Sequence, residues 1–235
     1  MLGAVPIFIG PEKVLLDFGI EPEEFDEQGL LSWLSEERTE KYTRGIFAPW
    51  AIHKKDFQKI GGHDPLYAPQ SKEDSDIFNR FQLAGYRTIQ TFQGFVYHMT
   101  CRGSRFKDGA MRNPAGKVFM KGRESSEWLA QNLRSTRNFI RKWGHMVQHD
   151  AYLKPIVPPK YDIGFIVENC GLPHLEALEP WCSTIYIKDT MGLIVPDYIK
   201  KEQPNTLINL SDKINKTFDS DIVVRMDGNT LTQND

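Results

Sequence analysis

Apolar positions in this chain come in short runs separated by glycine, proline and charge, and their spacing alternates between helical and strand periods. Leu30, Leu31, Trp33 and Leu34 cluster inside the acidic stretch 21–40 and predict a short helix, with Pro22 suited to its entry. Residues 45–52 form an apolar run broken by Pro49, expected as a strand edge or a substrate-side loop. A short helix over 54–60 ends at Gly61-Gly62. Ser71, with an acid three positions on, reads as a capping box for a helix over 72–84. Ile77, Phe78, Phe81 and Ala84 face inward along it, and Gly85 stops it. Residues 88–99, rich in aromatic and β-branched side chains, predict a strand delivering His98 at its end, and 100–123 reads as a mobile loop. Trp128, Leu129, Leu133, Thr136, Phe139, Ile140 and Trp143 recur at the helical period over 126–143, closed by Gly144.

Beyond a stiff segment with Pro155, Pro158 and Pro159 the pattern changes. Strands are predicted at 161–167, 184–187, 206–209 and 221–226, and helices at 173–179 and 211–216, with a helical turn at 197–201. Such alternation predicts an α/β fold with a small parallel, Rossmann-like layer. No G-x-G-x-x-G or G-x-x-x-x-G-K-[ST] string is present, so no phosphate loop is assigned. The expected organisation is a first region over 1–150, a linker over 151–160 and a small α/β module over 161–235.

Composition narrows the function classes modestly. The chain has 235 residues, 40% hydrophobic and 26% charged, with net charge −2, so no global field favours nucleic acid. Charge is uneven along it. Residues 1–40 are strongly acidic, whereas 101–123 carry Arg102, Arg105, Lys107, Arg112, Lys117, Lys121 and Arg123 against Asp108 alone. That run suits an anion, or is simply a solvated face. It holds Phe106 and Phe119 but lacks the aromatic interleaving of a single-strand binding platform. Cys101, Cys170 and Cys182 form no C-x-x-C pair, which fits a reducing, cytoplasmic setting. No run approaches the roughly 20 apolar residues of a membrane span, and the opening MLGAVPIFIG lacks the marks of a signal peptide and reads as a strand or extended segment. His145, His149 and His174 have no metal-like partners and are expected as surface or linker residues, and Trp181 in the core of the second module.

The densest concentration of candidate chemistry is Gly61-Gly62-His63-Asp64, then Glu73-Asp74-Ser75-Asp76, Arg80 and Gly85-Tyr86. A glycine loop lets backbone approach a ligand, and a carboxylate on a rigid helix is what a general base needs. This segment resembles the acceptor-side motif of family 2 glycosyltransferases, with His63 in place of the usual aromatic residue. The resemblance implies a partial GT-A fold and an inverting transfer of sugar from a nucleotide-sugar donor to a glycan or other hydroxyl acceptor. It implies Asp74 as base with Glu73 beside it, and Trp50, Gly61, Gly62, His63 and Asp64 as acceptor contacts. His98 would ligate a divalent cation, Mn²⁺ or Mg²⁺, and Arg102, Ser104 and Arg105 would bind diphosphate. Asp76, four residues before Arg80, has ion-pair spacing and reads as structural.

The resemblance spans about Gly45 to Ser104. Nothing before Gly45 resembles a nucleotide-binding strand and loop or a metal-binding D-x-D, so an acceptor-side half lacking a recognisable donor half is expected, with the missing half a possible partner. The rival expectations are a non-catalytic acceptor-binding module or degenerate fragment and, last, a nucleic-acid binder using the basic run.

Overall fold

The computed structural model describes residues 2–3, 14–19, 24–46, 49–97, 110–112, 118–120, 126–216 and 219–231. It is a mixed α/β protein whose chain divides into two compact units, one of residues 1–63, 74–131 and 148–156, the other of 64–73, 132–147 and 157–235. No helix among the described residues is long and apolar enough to cross a membrane.

In the first unit β1 (Leu2–Gly3) runs parallel to β2 (Val14–Leu15). Helix α1 (Glu27–Glu37) is capped by Asp26, which accepts from Gly29 N at 2.8 Å. Strand β3 (Tyr42–Arg44) pairs antiparallel with β4 (Ile89–Thr91). Helix α2 (Lys54–Lys59) ends in a Schellman turn, Gly61 N donating to Gln58 O at 3.0 Å and Gly62 N to Phe57 O at 2.9 Å. Helix α3 (Glu73–Leu83) ends the same way, with Gly85 at φ +76°. Strands β5 (Ala110–Arg112) and β6 (Val118–Met120) pair antiparallel, where a loop was expected over the basic stretch. Ile46, Ile77, Phe78 and Phe81 make the buried core. Ala84, expected inside, is exposed, because the chain is already turning at Gly85. Strand β4 is much shorter than predicted: after Phe92, which still exchanges backbone bonds with Lys41 and Thr39, the side chains of Phe95 and Tyr97 pack edge-on or stacked against Trp33, Phe18 and Phe25.

The expected capping box does not form. Ser71 stands at φ +79°, followed by Lys72 at +71°, and the Ser71 hydroxyl donates to Asn132 Oδ1 at 2.7 Å. Helix α4 (Ser126–Trp143) has the predicted bounds and ends at Gly144, φ +78°. Its buried positions are Ser135, Asn138, Phe139, Ile140 and Arg141, while Leu129 and Leu133 are exposed. The inward face is therefore partly polar, which hydropathy spacing could not show.

The second unit is built on a parallel sheet in which β7 (Ile163–Glu168) lies between β8 (Thr184–Ile187) and β9 (Ile222–Asp227). Residues near Ile214 add a parallel bridge to Ile185 on the outer side of β8. Helices α5 (Leu172–Leu178) and α6 (Ile194–Glu202) contribute Leu175 and Tyr198 to a core with Val167, Ile185, Ile187 and Leu210. Helix α6 is longer than the predicted turn because Asp189 caps it, its carboxylate accepting from Leu193 N and Val195 N at 3.2 and 3.1 Å. The strand expected at 206–209 is absent. Gln203 Nε2 donates to Thr206 O and Ile208 O, and Thr206 Oγ1 accepts from Ile208 N, so side chains take the bonds a ladder would use. Trp181 is exposed, contrary to expectation, and His145 is buried, its ring edge-on to Phe139. His174 accepts from Gly171 N at 3.1 Å, holding the start of α5.

Helix α4 anchors to this core through charge. Arg141, fully buried, donates to Glu179 Oε2 at 2.6 Å and to Glu202 Oε1 at 2.8 Å, and Lys213 Nζ lies 2.6 Å from Glu179 Oε1. Asn138 donates to Leu66 O and Asn205 O and accepts from Arg141. Burial opposes the charge on Glu179, but Lys213 and Arg141 outweigh it and hold the carboxyl below its ordinary value. Burial likewise opposes Glu202, which Arg137 and Arg141 hold low. Folded values below the unfolded ones mean that the stabilisation is present above the ordinary carboxyl range, near 4.5, and is lost as pH falls through the depressed values. Equilibrium unfolding followed by circular dichroism is expected to show steady stability from pH 7 to about 5 and a fall below pH 4.5. The variant Glu179→Gln should flatten that fall.

Candidate functional site

Three expected site residues meet in the first unit. Asp74, in the opening turn of α3, accepts a hydrogen bond from the Trp50 side chain and lies near His63. The His63 ring sits 5.9 Å from that of Trp50 and 5.6 Å from that of Phe57, and the residue is exposed. Burial raises the Asp74 carboxyl above its ordinary value, with the Trp50 bond and His63 opposing. A half-buried carboxylate of raised basicity beside an exposed imidazole can accept a proton from a hydroxyl held there.

Trp50 is shared between site and core. Its ring lies 5.6 Å from that of Phe81 and 6.3 Å from that of Phe78, both edge-on. It also lines a cleft of about 570 Å³ with Ile52, Tyr86, Arg87, Gln90, Phe92 and Phe95 among its walls. Asp74 and His63 are not among the residues lining that cleft. Trp50 and Tyr86 are the walls that the sequence singled out; Phe92 and Phe95 lie in the stretch 88–99 that reads as a strand.

The glycine pair has a sufficient structural cause. Gly61 and Gly62 stand at φ +88° and +65°, and a Cβ on Gly62 would come 3.2 Å from the Phe57 ring. Both are the C-terminal cap of α2. Asp76 is fully buried and accepts from Arg80 Nε at 2.9 Å, while Arg80 NH1 donates to Ile60 O at 2.6 Å. That pair pins α3 to the end of α2, as the four-residue spacing predicts. Tyr86 donates to Asp56 Oδ1 at 3.1 Å and fixes the other end of the same contact.

Asp64 and Glu73 belong to the second unit. Asp64 Oδ1 accepts from Leu66 N at 2.9 Å, and Oδ2 pairs with Lys142 at 2.6 Å, so both oxygens are engaged in structure. Burial lowers the Lys72 ammonium, and the adjacent Glu73 carboxylate counters it. His98, Arg102, Ser104 and Arg105 lie outside the described residues. Among the described residues no three His, Cys, Asp or Glu side chains are grouped to hold a metal ion.

Asp76→Asn and Asp74→Asn are expected to differ in thermal melts. The first removes the buried charge that Arg80 faces and should lower stability by about 2 kcal/mol. The second should not lower it at pH 7. A raised folded pKa places Asp74's contribution below its ordinary value, near 3.8, and it is lost as pH rises through the raised value. An amide there keeps the acceptor for Trp50 without a buried charge. No protein-family model matches the chain, and neither any curated protein nor any solved structure matches it.

Proposed function

We propose that this chain is the acceptor-side part of an inverting glycosyltransferase similar to family 2, GT-A-like in its first unit and carrying a Rossmann-like layer in its second. The observation that supports it most is Asp74: a carboxylate of raised basicity, fixed at the start of a helix, beside an exposed imidazole and an indole. In this reading the acceptor hydroxyl gives its proton to Asp74 as its oxygen bonds to the anomeric carbon. The bond from that carbon to the nucleoside diphosphate breaks on the opposite face, and the configuration inverts. His63 and Trp50 position the acceptor. His98 with a divalent cation, and Arg102, Ser104 and Arg105 at the diphosphate, belong to the same reading.

A second reading, a non-catalytic acceptor-binding module, is favoured by one observation. Gly61, Gly62, Asp64, Asp76 and Arg80 are all held by structural contacts that would persist without chemistry. Both readings require a bound hydroxyl compound. A library of glycosides titrated onto the full chain, read by tryptophan fluorescence, should give saturable binding that His63→Ala weakens at least about tenfold. His63 is exposed, so its loss should leave the fold intact. Binding indifferent to His63, or none, would count against both.

A further inference from the structure

We propose that β9 is a dimerisation strand: two copies of this chain join edge to edge through residues 221–225, antiparallel about a twofold axis at Val223. Strand β9 closes one side of its sheet, paired with β7 alone among the described residues. Ile222 N donates to Asp162 O at 3.1 Å and Gly228 N to Glu168 O at 2.8 Å, so the even-numbered positions spend their backbone groups on β7. Backbone groups of alternate strand residues point to opposite edges, so those of Val223 and Arg225 point away from the sheet. Natural edges are blunted by lysine, proline or a bulge. Residues 222–227 contain no lysine or proline, and their register with β7 is unbroken. The side chains are apolar and open: Ile222 is 43%, Val223 46% and Val224 37% exposed. Strands of a parallel layer ordinarily bury such residues on both faces.

Charge on either side of Val223 selects a second copy as the occupant. Asp221, where the chain bends into the strand, and Arg225 are both exposed, and neither is drawn into an ion pair among the described residues. In the antiparallel register centred on Val223, Asp221 faces Arg225 of the partner subunit, and the twofold axis repeats that pair. Ile222 faces Val224 of the partner subunit, and Val223 meets its own copy. The outward backbone groups of Val223 and Arg225 then fall in the close, doubly bonded pairs of an antiparallel ladder. Moving the axis to Asp221 or to Arg225 would set like charges opposite each other. One register therefore suits backbone, apolar and charged positions together, as a self-complementary interface requires. Val224 lies beside Phe165, which packs on the core of the second unit, so the paired Ile222 and Val224 continue that apolar layer across the axis. The inference does not depend on the glycosyltransferase reading.

Sedimentation velocity of the full chain from about 5 to 500 µM tests the pairing. A monomer–dimer equilibrium is expected with a dissociation constant of about 10–100 µM, because one strand pair covers less than the roughly 1,600 Å² of a standard interface. Asp221→Arg alone and Arg225→Asp alone each bring like charges together and should weaken association at least about tenfold. Combined in one chain, the two reversals restore opposite charges at both ends and should recover the dimer. Both residues are exposed, so all three variants should melt as wild type does, and a role confined to folding would not give that recovery. A chain still monomeric at about 500 µM, as when a different polypeptide covers β9, would overturn the proposal. So would a dimer unmoved by either single reversal, or one that the double reversal leaves as weak as the singles.

Discussion

Replacing Glu179 by alanine is expected to unfold the second unit at ordinary temperatures. The carboxylate is fully buried and faces Arg141 at 2.6 Å and Lys213 at 2.6 Å. Removing it leaves Glu202 as the one carboxylate on Arg141 and leaves the Lys213 charge with only the backbone carbonyl of residue 179. Breaking a buried pair this way costs about 3–5 kcal/mol, a large part of a domain's 5–15 kcal/mol. The urea midpoint of wild type and variant measures it. The double substitution Glu179→Leu with Arg141→Met should recover part of the loss, since apolar side chains of similar volume replace buried pairs at little cost. A single variant as stable as wild type would show that the network does not hold α4 to this core.

Asp74→Asn is expected to slow sugar transfer by about 10²–10⁴-fold, the usual contribution of a positioned general base. The acceptor KM should stay close to wild type, because the amide keeps its size and its bond with Trp50. The fall therefore appears in kcat. Asp76→Asn should lower stability, as argued above, and change kcat far less, since its carboxylate is spent on Arg80. Steady-state kinetics of the three proteins on one acceptor separates these roles.

The parts of the fold readable from sequence are those that neighbouring residues decide. Helix α4 follows from helical spacing and Gly144, the ends of α2 and α3 from their glycines, and β7, β8 and β9 from β-branched runs. What was hidden depends on residues far apart in the chain. Arg141 meets Glu179 across 38 positions and Arg137 meets Glu202 across 65, and no local pattern shows such pairs. Ser71 fits a cap by spacing, yet Asn132, 61 positions away, takes its hydroxyl. The site follows the same rule. His63 and Asp74 are close in sequence and Trp50 joins them in the aromatic core, whereas Asp64 is drawn off by Lys142, 78 positions away. The strand order that leaves β9 at a sheet edge is likewise a property of pairing, which the run of strands and helices alone does not fix.

Asp74 as the base of an inverting transfer is open to one direct measurement. Proton NMR of the chain joined to its donor-binding half and incubated with nucleotide-sugars, Mn²⁺ and the best-binding hydroxyl acceptor reads both rate and anomeric configuration. With Asp74 as the base, the product is inverted relative to the donor and is formed about 10²–10⁴-fold more slowly by Asp74→Asn. A product of retained configuration, or an Asp74→Asn protein as fast as wild type, would contradict it.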